Sequence, residues 1–163
     1  MKRLGKILLV AALAIVSYSA NAELAPQWSK GTVIVNANVG ALETGGSVSA
    51  DVVLVDEWWK GHFTVGGEMD LSTPGAHKVA FGITPRATYG LNITPKFEVH
   101  ATVGLGIGAW SFDDGTTKKD ESFIMYNEFV GCRFFIIDKL ALFAETGYSY
   151  YFSCYRVGLS LKF

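Results

Sequence analysis

Along most of this chain hydrophobic and polar residues alternate with a period of two, the spacing that sends successive strand side chains to opposite faces. The pattern is cleanest from Lys96 to Phe112. There Phe97, Val99, Ala101, Val103, Leu105, Ile107 and Ala109 share one face, and Glu98, His100, Thr102, Gly104, Gly106 and Gly108 share the other. His62–Ser72, Lys78–Leu91 and Tyr155–Phe163 alternate in the same way, and Gly31–Ala41, Ser47–Glu57 and Lys139–Tyr150 do so less regularly. Within Lys78–Leu91 the parity continues through Pro85, which is expected to face a bulge or an unpaired position. In Ser122–Ile136 no single parity keeps both Glu128 and Arg133 off the apolar face. A bulge near Asn127–Glu128 would repair that segment, because an inserted residue swaps the faces beyond it.

These segments make eight predicted strands joined by turn-like stretches: Leu42–Gly46, Ser72–His77 and Asp113–Asp120 as one set, and Trp59–Gly61, Asn92–Pro95 and Asp138–Lys139 as the other. An even count returns both ends of the domain to one side. The fold expected is all-β: an eight-stranded antiparallel up-and-down β-barrel.

Alternation alone does not say which face is inside. A soluble barrel buries the apolar face, whereas a membrane barrel turns it to lipid and keeps polar groups within. The polar face carries Gly66, Gly82, Gly90, Gly104, Gly106, Gly108, Gly147 and Gly158. Glycine weakens a water-facing strand but suits the narrow interior of eight strands. Aromatics gather at segment ends, with Trp58 and Trp59 at one and Tyr148, Tyr150, Tyr151, Phe152 and Tyr155 at the other. Such girdles mark lipid–water boundaries. These features predict a transmembrane barrel.

The chain begins with Lys2, Arg3 and Lys6, an apolar run from Ile7 to Val16, and Ser19-Ala20-Asn21-Ala22. That order reads as a cleaved signal peptide over residues 1–22, leaving residues 23–163 as one barrel domain. The apolar run is about half the length of a spanning helix. Beyond the leader, 11 basic residues face 15 acidic ones, a net charge of −4 without the basic footprint of a nucleic-acid binder. Half the residues are hydrophobic and only 18% are charged, a greasy balance for a secreted soluble domain.

The ending Tyr155-Arg156-Val157-Gly158-Leu159-Ser160-Leu161-Lys162-Phe163 resembles the C-terminal strand of bacterial outer-membrane barrels, amphipathic with a terminal Phe. The pattern of the whole domain is similar to the small eight-stranded group that includes the OmpA membrane domain and OmpX, and less closely to OmpW-like barrels. The resemblance implies residence in the bacterial outer membrane among its lipids. It also implies recognition by the barrel-assembly machinery through Tyr155, Val157, Leu159, Leu161 and Phe163.

Charges inside so narrow a barrel must be paired, because an isolated buried charge costs several kcal/mol. The expected lumenal polar network is Glu68, Asp70, Lys78, Arg86, Glu98, His100, Glu145 and Arg156. Hairpin geometry suggests Glu145 diagonal to Arg156, Arg86 near His100, Glu98 close to Thr88 and Gly90, and Glu68, Asp70 and Lys78 converging at the third-to-fourth strand loop. Asp70, Ser72 and His77 invite comparison with a hydrolytic triad, but nothing fixes the geometry one needs. His62, His77 and His100 lack metal-ligand spacing, and Gly104-Leu105-Gly106-Ile107-Gly108 lies mid-strand with no helix after it. No enzyme, cofactor or metal is expected. Cys132 and Cys154 fall towards opposite rims, too far apart for a disulfide.

The function this supports is a structural or surface-interaction role in the outer membrane, with a largely plugged interior. An extracellular partner would engage the short loops, Asp113–Glu121 being the longest. Two alternatives stay open: a narrow channel or carrier for small or hydrophobic solutes, and a soluble secreted lipocalin-like barrel.

Overall fold

The structure, a computed structural model, describes residues 28–41, 44–59, 61–150 and 152–163. The expected leader therefore lies outside the described residues, as do Leu42, Glu43, Lys60 and Tyr151 of the expected turns and girdle. Eight strands follow in order: β1 (Val33–Gly40), β2 (Gly45–Trp58), β3 (Gly61–Gly75), β4 (Lys78–Thr94), β5 (Phe97–Asp113), β6 (Lys118–Ile137), β7 (Leu140–Ser149) and β8 (Tyr155–Lys162). Each pairs antiparallel with the next, and β1 pairs with β8, so the sheet closes.

One ring of register partners shows how it closes. Ile124 on β6 faces Ile107, which faces Ile83, then Met69, Val48, Ala37, Leu159 and Leu142. Leu142 faces Phe134, so the circuit re-enters β6 ten residues below its start at Ile124. With strands about 4.8 Å apart and about 3.3 Å per residue, that stagger tilts them about 40° and gives a barrel radius of about 8 Å. Every member of the ring is apolar and points outward. Val103, Leu105, Ile107 and Ile124 are 61–77% exposed, as lipid-facing residues of an isolated chain must be.

Polar residues take the inside. Serines, threonines, asparagines, carboxylates and arginines make up most of the buried set. The lumen ends in two apolar caps. Trp28, Ile34, Val53, Phe135 and Ala141 pack at the end holding Trp28 and Phe163, here the near end. Ala80, Met125 and Phe152, with Trp110 and Phe123 against them, pack at the far end. Phe152, expected in the outer girdle, is only 4% exposed and turns into the barrel. Gly82 makes room for it, because a Cβ there would stand 2.6 Å from Met125 Sδ and 3.0 Å from the Phe152 ring.

The girdles flank the outward band. At the near end Trp58 stands edge-on to Phe63 and Tyr89, each 5.8 Å away. At the far end Tyr126 and Tyr148 stack at 5.1 Å.

The bulge expected at Asn127–Glu128 is absent. Register against β5 runs unbroken from Phe97–Phe134 to Asp113–Lys118. Arg133 is buried inside, and Glu128 is exposed on the outward face. The sheet accepts one carboxylate on its apolar face and keeps its ladder. The ladder breaks instead near strand ends, between Val53 and Trp58, Ser72 and Gly75, Asn92 and Thr94, and Phe135 and Ile137. Between β4 and β5 the pairing also skips Thr84 and Pro85.

The strands differ in height. β6 has 20 residues and β7 has 10, and their pairing stops at Asn127–Ser149. The β5–β6 hairpin therefore rises about 20 Å past the top of β7 at the far end. Its turn is ordered by Asp114, which accepts bonds from the Thr116 hydroxyl and amide and from the Thr117 amide. Those bonds, the Thr116 hydroxyl first, hold the Asp114 carboxyl below its ordinary range.

Candidate functional site in the barrel lumen

Alternation delivers one to three polar side chains from every strand to the axis, and they meet there as a single network. At its far half Arg86 is gripped from two sides. It donates to Asp51 through Nε at 2.9 Å and Nη2 at 2.5 Å, and to Glu68 Oε2 through Nη1 at 2.5 Å. Arg156 donates to the other Glu68 oxygen at 2.6 Å and to Asp70 Oδ1 at 2.9 Å, and lies 3.9 Å over the Phe129 ring. Bidentate forks of this kind are the strongest way to hold a buried carboxylate.

The near half is built on Glu98, which is fully buried. One of its oxygens bonds Arg133 Nη1 and the other accepts the indole N–H of Trp28 at 2.6 Å. His62 Nε2 lies 3.8 Å from that second oxygen. His100 bridges, with Nδ1 3.5 Å from Glu98 and Nε2 2.9 Å from Glu145. The halves are joined by a relay from Arg133 Nε to Ser160 Oγ at 3.0 Å, from Ser160 to Asn36 Oδ1 at 2.5 Å, and from Asn36 Nδ2 to Asp51 Oδ2 at 3.1 Å. The members come from all eight strands: Asn36, Asp51, Glu68, Arg86, Glu98, Arg133, Glu145 and Arg156 in order. Five carboxylates face three guanidiniums, and both histidines sit in the near half.

Glu68, Asp70, Arg86, Glu98, His100, Glu145 and Arg156 are thus brought together. Lys78 is not: it stands at the far rim, 4.0 Å over the Trp110 ring. Several partners differ from those expected. Arg86 meets Asp51 and Glu68, not His100, because the close pair is across β4–β3 and β3–β2. Glu145 is directly opposite Arg156 in register, yet its carboxylate bonds His100. Glu98 passes over Gly90, where an added Cβ would lie 3.1 Å from it, but its bonds go to Arg133 and Trp28.

Sequence reasoning missed Asp51, Arg133, His62, Asn36, Ser160 and Trp28 as members. Asp51 and His62 share the inward parity of their strands and were legible from it. Arg133 lies in Ser122–Ile136, the one segment whose parity the sequence does not fix. Trp28 precedes β1, where no periodicity points to it.

Asp70 is held by Arg156, and His77 sits in the exposed β3–β4 turn with φ 61°; no hydrogen bond joins the two. Cys132 and Cys154 are not joined in a disulfide. Tyr155, Val157, Leu159, Leu161 and Phe163 all point outward, 43–72% exposed, and Phe163 closes the ring through paired backbone bonds with Val33 at 2.9 and 3.1 Å.

A closed ring of eight tilted strands, apolar outside and ion-paired within, defines a transmembrane β-barrel. Its fold is that of the small eight-stranded outer-membrane barrels. Among solved structures, the chain is similar to Neisserial surface protein A, with a TM-score of 0.53 and 16% identity over 81% of this chain and 94% of that one. It is similar to the N-terminal barrel domain of Pseudomonas aeruginosa OprF, with a TM-score of 0.62 and 12% identity over 83% and 100%. A de novo designed transmembrane β-barrel matches with a TM-score of 0.53 and 15% identity over 83% and 98%. No family model matches the sequence. No curated protein matches it either.

Proposed function

We propose that this protein is a closed outer-membrane barrel with a structural and surface-contact role, its far end extracellular and its near end periplasmic. The observation that carries the reading is the lumen itself. A network of ion pairs and hydrogen bonds drawn from all eight strands fills the middle, with Trp28 and Phe152 packed at the two ends. A solute would have to displace both aromatic caps and separate buried charge pairs, each costing several kcal/mol to break.

Contact with other molecules then falls to the outside surfaces. The β5–β6 hairpin is the tallest feature at the far end, with Lys118, Lys119, Asp120 and Glu121 exposed near its tip. Binding functions concentrate in such projections from a rigid scaffold. The outward strand Tyr155–Phe163 is offered to the assembly machinery from the opposite end of the chain, and the apolar band is offered to outer-membrane lipids.

Planar-bilayer recording of the refolded chain tests the closed lumen. Silence at 100 mV is expected, and sustained conductance steps would replace this reading with the channel. Tip substitutions that remove the four charges are expected to leave folding intact while abolishing surface adhesion of cells expressing the protein.

A further inference from the structure

Between the two girdles, Glu128 is the only charged side chain on the outward face among the described residues. Its surroundings follow from register. Val103 is beside it on β5 and Tyr148 on β7, with Tyr126 one rung above and Val130 one rung below. Thr146 is opposite Val130. Glu128, Tyr126, Tyr148 and Thr146 are all exposed, and among the described residues neither the carboxylate nor any of the three hydroxyls has a hydrogen-bond or ionic partner.

An ionisable group facing lipid is expensive and marks a contact by default. Here the acceptor comes with donors. With strands tilted about 40°, neighbouring register partners differ in height by about 3 Å, so the Thr146 and Tyr148 hydroxyls lie close to the level of Glu128. Two copies in one membrane share orientation, and a two-fold axis along the membrane normal preserves height. A patch holding a carboxylate and hydroxyl donors at one level is therefore complementary to itself under that axis.

We propose that the β6–β7 face is where a second copy of this chain docks, each Glu128 accepting hydrogen bonds from Tyr148, Thr146 and Tyr126 of the other copy. The contact pairs Glu128 and Thr146, which lie just below the far girdle, with the hydroxyls of the girdle residues Tyr126 and Tyr148. It does not depend on whether the lumen conducts.

The test uses purified full-length barrel refolded at high lipid excess into vesicles of phosphatidylethanolamine and phosphatidylglycerol. Val130→Cys is introduced with Cys132→Ser and Cys154→Ser, and a short bismaleimide is added. A control Val48→Cys, on β2 across the barrel, carries the same two serines. Covalent dimer is expected at least fivefold more abundant for Val130→Cys than for the control. Glu128→Leu is expected to erase that excess, and so is Tyr126→Phe with Tyr148→Phe, which removes two donors and leaves the carboxylate in place. Heat-modifiable migration confirms that each variant is folded. Equal cross-linking on both faces, or dimer undiminished by Glu128→Leu, would overturn the proposal. Cross-linking in native membranes only to a polypeptide of different mass would overturn it in favour of a basic partner protein.

Discussion

Trp28 reaches from outside the strands into the near end of the barrel and donates its indole N–H to Glu98 Oε2 at 2.6 Å. Its ring also lies 5.2 Å from His62 and 5.3 Å from Phe135, with Arg133 and Lys162 over it at 5.5 and 5.3 Å. An aromatic cap and an ionic core are thus fastened by one bond.

Trp28→Phe keeps the ring and loses the donor. Because Glu98 is fully buried, unfolding in urea should show a loss of about 1–3 kcal/mol. Trp28→Ala should cost about 3–5 kcal/mol, adding the vacated volume. Equal losses for the two variants would mean that the bond contributes nothing.

Arg156 compensates Glu68 and Asp70 together. Arg156→Met leaves both carboxylates short of a partner and should destabilise by about 3–5 kcal/mol. Combining it with Glu68→Gln should recover part of that loss, and the coupling can be read from a double-mutant cycle in urea. Additive losses would mean that the two side chains act independently.

Gly82 lies under the far cap. Gly82→Ala should cost roughly 1–3 kcal/mol by overpacking against Met125 and Phe152. In a Phe152→Ala background the same change should cost less than half as much. A cost unchanged by removing Phe152 would show that the ring does not rest there.

Cys132 points outward from β6 between Val99 and Ala144, while Cys154 lies in the turn before β8. Alkylation of the denatured, unreduced protein should add two maleimides by mass. An intact mass two hydrogens short, with no uptake, would contradict the register of β6.

Much of this architecture is legible in the sequence. The odd-numbered apolar positions of β5 and β8 and the even-numbered glycines of β4 and β5 place lipid and lumen on the correct sides. Period two is a strong signal because one residue of slippage would invert a whole strand. Pairing inside the lumen was not readable in the same way. Inward parity says that Arg86 and His100 share the interior, but which partners meet depends on the ten-residue stagger and on side chains several ångströms long. The rule that every charge avoids the apolar face failed at Glu128, where an unbroken ladder outweighs one misplaced carboxylate. Phe152 and Trp28 lie outside the strands and obey no period.

That the lumenal network takes a member from each strand ties its completion to the last one. Before β8 joins, Glu68 and Asp70 have no Arg156, and the relay between the halves lacks Ser160. A partly assembled sheet would carry uncompensated carboxylates into an apolar phase, which disfavours premature insertion. Neutralisation and ring closure therefore coincide, and the chain's final segment is at once its seam and its counter-charge.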